Sequence, residues 1–310
     1  MKKTTFADFK KQWYFSLTEY CSWKCSYCDF PCKTDPKVAP IEYVEEVFDR
    51  IKRITNYDQS IEYCLEGGEI GLFDQDYLDR VFNSGLSETY NVATNGLFME
   101  KSYHKRYSDK IHYILYHIAP EIYDGVKYKE YDFGDILCYY TFVINKNNLP
   151  ILDKFLTDNL DSKHRFLPHI LQPRTPGLDL LTYDDFIQMY DIIKDKSNVK
   201  PDFIERVVRI IERHNDEPWL DSHRKICASV YTQPIFDLPN KRVNRCCISI
   251  TGDSVDITDD NLERLYKNKI MFSSLKDSVC DGCIANFLWH DWRHRRYMKE
   301  IIKIHKGFSS

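Results

Sequence analysis

Trp13-Tyr14-Phe15-Ser16-Leu17-Thr18 runs without a break into Glu19-Tyr20-Cys21-Ser22-Trp23-Lys24-Cys25-Ser26-Tyr27-Cys28. The first six residues are rich in aromatic and apolar side chains at alternate positions, the pattern of a strand. The three cysteines that follow, four and three positions apart, put soft donors on one short loop. A closed structural metal site takes four ligands, so three cysteines with no neighbouring histidine leave one coordination position open for a substrate or cofactor. Membership in a four-ligand zinc site is the alternative at this point.

Outward from this stretch the chain alternates. Strand-like runs recur at Ile61 to Leu65, Asn91 to Thr94, Ile111 to His117, Leu137 to Ile144 and Arg165 to Leu171, making six with the first. Helical patterns lie between them, as at Ile41 to Ile54, where Val44, Val47, Phe48 and Ile51 form one apolar stripe, and at Asp76 to Phe82. Repeated βα units imply a parallel sheet, either open and doubly wound or an incomplete barrel, with function carried by the loops after the strands. The cysteine triplet, Gly67-Gly68-Glu69 and Thr94-Asn95-Gly96 follow the first three strands, so all three face one end of the sheet.

The alternation stops near Pro173, Pro176 and Gly177, and helical stretches follow at Tyr183 to Lys194 and Asp202 to Arg213. From Cys227 the sequence reads as antiparallel strands, Ser229 to Phe236, Val243 to Ile250 and Val255 to Thr258, separated by turns. A basic, aromatic helix from Phe287 to Lys303 ends the chain. The expectation is a (β/α)6 core over residues 1–180, a helical connection over 181–222, and a small separate α+β module over 223–310 with a β-hairpin and the C-terminal helix.

With 310 residues and 43% hydrophobic content the chain can bury a full core, which excludes a disordered protein. A net charge of -4 with both signs interspersed argues against nucleic acid or an anionic membrane as a partner. No run of apolar residues is long enough to span a bilayer and no signal-peptide core follows Met1, which reads as a soluble, cytoplasmic protein. Eleven cysteines are many for such a compartment, where thiols stay reduced, so metal or cluster ligation is the leading explanation for them.

Cys21-x3-Cys25-x2-Cys28 after a first strand resembles the signature of the radical S-adenosylmethionine superfamily. The resemblance implies a partial TIM-like barrel in which the three cysteines bind a [4Fe-4S] cluster whose open iron takes the methionine end of S-adenosylmethionine. It also places Tyr27 near the adenine. Glu66-Gly67-Gly68-Glu69 resembles the Gly-Gly-Glu-Pro motif of that superfamily, whose backbone and acid engage the cofactor amino group, with Ile70 standing where proline is usual. Thr94 and Asn95 resemble the polar strand end that lines the cofactor pocket. Asn145, at the end of a later strand, is assigned there too.

Downstream, Cys227, Cys246 and Cys280-Asp281-Gly282-Cys283 provide four thiolates, enough to close a tetrahedral or cuboidal centre. Their order, with a hairpin between, resembles the twitch type of auxiliary domain, a shortened SPASM relative. That resemblance implies one auxiliary [4Fe-4S] cluster, and a structural zinc ribbon is the alternative. Cys246 and Cys247 point in opposite directions if their segment is a strand, so only one ligates. Cys246 is assigned that role, and Cys247 is either a small buried hydrophobe or a hydrogen donor to a substrate radical, as cysteines are in related peptide epimerases. Cys64 and Cys138 lie in expected strands and read as core.

The resemblance implies reductive cleavage of S-adenosylmethionine and hydrogen abstraction from a substrate, with a peptide favoured and a small metabolite or nucleotide as the alternative. An electron donor such as flavodoxin or ferredoxin is implied as a partner. About twelve residues precede the first strand, which leaves no room there for a peptide-recognition domain. A zinc-stabilised binding module without catalysis is the rival from another class.

Overall fold

Lys11–Ser16 forms β1, and its alternation sorts the side chains by face: Trp13 and Phe15 are buried, whereas Gln12 and Tyr14 are half-buried. The computed structural model describes residues 11–23, 25, 28, 35–118, 129–146, 148–160, 166–170, 181–216, 234–244 and 254–267. Strand β2 (Ile61–Glu66) lies parallel to β1, pairing Trp13 with Tyr63 and Phe15 with Leu65. The sheet continues through β3 (Tyr90–Thr94), β4 (Ile111–His117) and β5 (Leu137–Thr141), each parallel to the one before.

The strand expected from Leu137 to Ile144 is in two pieces. Phe142 interrupts it, and β6 (Val143–Ile144) resumes and pairs in parallel with β7 (His169–Ile170). Tyr140 bridges to Phe166 just ahead of β7, with the Leu167 N–H donating to the Tyr140 carbonyl at 2.8 Å.

Strand order decides between the two expected architectures. A doubly wound sheet reverses direction, whereas here β1 to β5 follow one another in sequence order. Right-handed crossovers then put the helices that connect these strands on one face. The curvature shows in the side chains. Gln12 on β1 donates through Nε2 to the Tyr113 hydroxyl on β4 at 2.7 Å, although three strand spacings in a flat sheet would set their backbones about 14 Å apart. The fold is therefore α/β, with β1 to β5 forming a parallel sheet consistent with the incomplete barrel expected.

The convex face carries the hydrophobic core. Helix α1 (Ile41–Thr55) buries the stripe expected of it, Val44, Val47, Phe48 and Ile51, and ends at Asn56 in the left-handed region. Helix α2 (Gln75–Phe82) starts where Asp74 accepts from the Tyr77 N–H at 2.9 Å and buries Leu78, Val81 and Phe82. Short helices α3 (Leu97–Glu100) and α4 (Tyr103–Arg106) follow β3, and α5 (Leu149–Asp158) follows β6. The two helices expected after the barrel are α6 (Tyr183–Ile193), opened by a Thr182–Asp185 capping box, and α7 (Pro201–Asp216). Among the described residues no helix is long and apolar enough to cross a membrane.

The hairpin expected to stand apart instead continues the main sheet. Strand β8 (Ile235–Asp237) lies parallel to β1, pairing Tyr14 with Ile235 and Ser16 with Asp237. Strands β9 (Arg242–Asn244) and β10 (Ser254–Asp256) add on antiparallel. Turn signals alone do not reveal this, because partner choice is made in space. Phe236 is fully buried, stacked on Phe15 with ring centroids 4.7 Å apart and 5.3 Å from Trp13, so the aromatic layer behind β1 draws it in and covers the edge of β1. Helix α8 (Asp259–Tyr266) then docks on α1, with Asp259 accepting from Arg50 at 2.6 Å and Arg53 at 3.0 Å.

Replacing Phe236 with alanine removes this anchor and is expected to destabilise the chain by about 3–5 kcal/mol. Urea denaturation followed by tryptophan fluorescence checks it, and an unchanged midpoint would mean that β8 contributes little to the sheet.

Candidate active site

Beyond Ser16, residues 17–20 leave the sheet and lead to Cys21. The loop that carries the cysteines is closed at its neck: the Glu19 N–H donates to the Lys37 carbonyl at 2.9 Å, the Ala39 N–H to the Leu17 carbonyl at 3.0 Å, and Thr18 bridges Val38. Cys21, Cys25 and Cys28 are half-buried, and the Cys28 N–H donates to the Cys25 carbonyl at 3.0 Å.

The Gly67-Gly68-Glu69 turn lies directly against the start of this loop. The Gly68 N–H donates to the Thr18 carbonyl and the Glu69 N–H to the Tyr20 carbonyl, both at 2.7 Å. A Cβ on Gly68 would sit 1.8 Å from the Tyr20 carbonyl oxygen, so only glycine permits this approach. Gly67 has φ +116°, and a Cβ there would come within 2.4 Å of the Ser16 hydroxyl.

Glu69 is fully buried and ties its own turn to the end of β3. Its Oε1 accepts from the Gly71 N–H at 2.7 Å and the Thr94 hydroxyl at 2.8 Å, and its Oε2 accepts from the Asn95 N–H at 2.6 Å. Burial pushes the carboxyl above its ordinary range, and the Asn95, Thr94 and Gly71 donors pull it back. Where the superfamily motif has proline, Ile70 is buried in a 3₁₀ turn (Ile70–Leu72) that the Glu69–Gly71 hydrogen bond caps.

Asn95 completes the convergence. With its backbone held by Glu69, its side-chain amide donates to the Cys21 sulfur at 3.6 Å and to the Ser22 hydroxyl at 3.1 Å. Burial raises the Cys21 thiol above its usual range, with the nearby Glu69 adding to this, while the Trp23 N–H and the Asn95 amide oppose it. Cys21 thus favours the protonated form, and binding of a metal would displace that proton.

The structure therefore brings together Cys21, Gly67, Gly68, Glu69, Thr94 and Asn95. Asn145 sits just past β6, which pairs with β7 apart from the main sheet, and it and Asn148 cap one another reciprocally at 2.8 and 3.0 Å ahead of α5. Its side-chain oxygen thus serves a turn. Cys64 and Cys138 are buried, as expected of core residues, and burial raises both thiols. Tyr27, Cys227, Cys246, Cys247, Cys280 and Cys283 lie outside the described residues. Among the described residues no three His, Cys, Asp or Glu side chains form a metal-binding group. Glu19 and Gly71 carry no sequence signal beyond their residue types, and both are structural parts of the site.

No protein-family model matches the sequence, and neither does any curated protein. The fold, by contrast, is matched among solved structures. Streptococcus suis SuiB bound to precursor peptide SuiA superposes with a TM-score of 0.58 at 16% identity, covering 90% of this chain and 71% of that one. The same protein bound to S-adenosylmethionine gives 0.56 at 15% identity, over 83% of this chain and 66% of that chain. The structure of anSMEcpe with bound AdoMet and the Cp18Cys peptide gives 0.51 at 13% identity, over 93% of this chain and 82% of that chain. The chain thus has the fold of the radical S-adenosylmethionine enzymes.

Glu69→Gln tests the convergence. Both carboxylate oxygens face backbone N–H groups that cannot reverse, so the glutamine NH2 must oppose one of them. The substitution is expected to cost about 1–3 kcal/mol. A thermal melt unchanged from the parent chain would contradict this geometry.

Proposed function

We propose that this chain is a radical S-adenosylmethionine enzyme that modifies a peptide. Asn95 carries the reading: clamped by Glu69, it delivers an amide to the first cysteine of the triplet, so three strand ends meet at one sulfur.

The residues present fit an iron-sulfur cluster. Three thiols share one closed loop, the donor set is soft and one short of a closed site, and the glycine turn beside it has no room for a Cβ. Cys21, Cys25 and Cys28 would hold a [4Fe-4S] cluster and leave one iron to the cofactor. When bound, the cluster supplies the electron that cleaves S-adenosylmethionine and so begins hydrogen abstraction from the substrate. The chain positions what surrounds it. Gly67, Gly68, Glu69, Thr94 and Asn95, with Tyr27, would line the cofactor pocket. A cationic amino group arriving beside Glu69 would favour its carboxylate form.

Residues 223–310 would form the twitch/SPASM-like part, with Cys227, Cys246, Cys280 and Cys283 holding an auxiliary [4Fe-4S] cluster and Cys247 as a hydrogen donor. Flavodoxin or ferredoxin would supply electrons in the cytoplasm. The peptides seen with SuiB and anSMEcpe support a peptide substrate, with epimerisation, oxidation or cross-linking as the reaction.

Anaerobic reconstitution followed by iron and sulfide analysis tests the assignment. About two four-iron clusters are expected, falling to one when Cys21, Cys25 and Cys28 are all replaced by alanine. Dithionite and S-adenosylmethionine should then yield 5'-deoxyadenosine from the parent chain and none from the triple variant. Stoichiometric zinc without iron, or a cluster-replete chain that makes no 5'-deoxyadenosine, would overturn the proposal.

A further inference from the structure

Asn240 ends the 3₁₀ turn (Leu238–Asn240) between β8 and β9, more than two hundred positions along the chain from the cysteine loop, yet it is bonded to that loop's neck. Its Nδ2 donates to Glu19 Oε1 at 2.7 Å, and the same amide reaches the Asp237 carboxylate at 2.9 and 3.1 Å. Glu19 is buried and uses its other oxygen, Oε2, to accept from the Lys37 N–H at 3.0 Å. One carboxylate thus ties the two limbs of the loop together, and one amide ties that carboxylate to the C-terminal hairpin. The Lys37 ammonium returns to the Asn240 Oδ1 at 3.2 Å, closing the circuit.

Glu19 lies two residues before Cys21. Between them is Tyr20, whose carbonyl accepts from Glu69, and Glu69 in turn sets Asn95 on the Cys21 sulfur. Any shift of Glu19 is therefore passed to Tyr20 and alters where Cys21 stands against the Asn95 amide. An amide suits this place for a physical reason. Two buried carboxylates face it from Glu19 and Asp237, and a neutral group with two N–H donors serves both, whereas an acid would meet them with a third negative charge.

We infer that Asn240 is a positioning residue for the cysteine loop: through Glu19 it sets the placement of Cys21, and so links the hairpin leading to the downstream cysteines with the first cluster. The link to a cluster rests on the function proposed above. The clasp itself does not.

Asn240→Ala tests it by amide hydrogen exchange at Glu19, Ala39, Gly68 and Glu69, whose N–H groups close the loop neck and hold the glycine turn. Exchange at these four amides is expected to quicken about tenfold, equivalent to about 1.4 kcal/mol, with α6 unchanged. In the reconstituted chain, the electron paramagnetic resonance spectrum of the reduced cluster should differ from that of the parent, with and without S-adenosylmethionine. Should Asn240→Ala fail to fold, Asn240→Ser keeps one donor and carries the same comparison with a smaller change. Exchange unchanged at the four amides, or quickened equally in α6, would overturn the inference. A parent chain that takes up no iron would instead overturn the proposed function, and the exchange data would still decide the clasp.

Discussion

A single buried carboxylate holds the candidate site together. Glu69 ends the second strand's turn, and its two oxygens accept from the 3₁₀ turn that follows it and from both residues at the end of β3. Such a group has few alternatives, because a buried acid without donors is costly while one with three is rigidly placed. The rest of the arrangement depends on it. The glycines let the turn touch the first loop, and Glu69 orients Thr94 and Asn95, whose amide reaches the Cys21 sulfur.

The sheet makes that convergence possible. Parallel strands in sequence order bring every strand's C-terminal end to one rim, and the curl carries side chains across the concave face, as Gln12 and Tyr113 show. The two faces differ in chemistry. The convex one is packed with Trp13, Phe15, Tyr63, Phe48 and Phe236, while the concave one presents half-buried Gln12, Tyr14, Glu62 and Glu66.

Much of this was legible in local pattern. The period of two at Trp13 to Thr18 and the helical stripe of Val44, Val47, Phe48 and Ile51 are properties of short segments, and the elements appear within a residue or two of where those patterns put them. Glu69 and Asn95 were legible only through resemblance, since an acid after two glycines is otherwise an ordinary turn. What stayed hidden depends on distant partners. Nothing near Phe236 states that it will stack on Phe15, nothing near Glu19 states that Asn240 will reach it, and Asn145 reads the same whether its oxygen faces a ligand or caps a turn.

The seating of β8 beside β1 has a consequence for how the chain is made. The first strand gains its outer neighbour only after nearly all of the described chain exists, and Lys11 meets Tyr266 across a separation of 255 positions. At the usual pace of synthesis the ribosome needs on the order of tens of seconds to cover that distance. Throughout that interval the aromatic edge formed by Trp13 and Phe15 is without its cover, and long-range closure of this kind is slow even in the finished chain. Early translation thus leaves uncovered the very edge on which the cysteine loop is mounted.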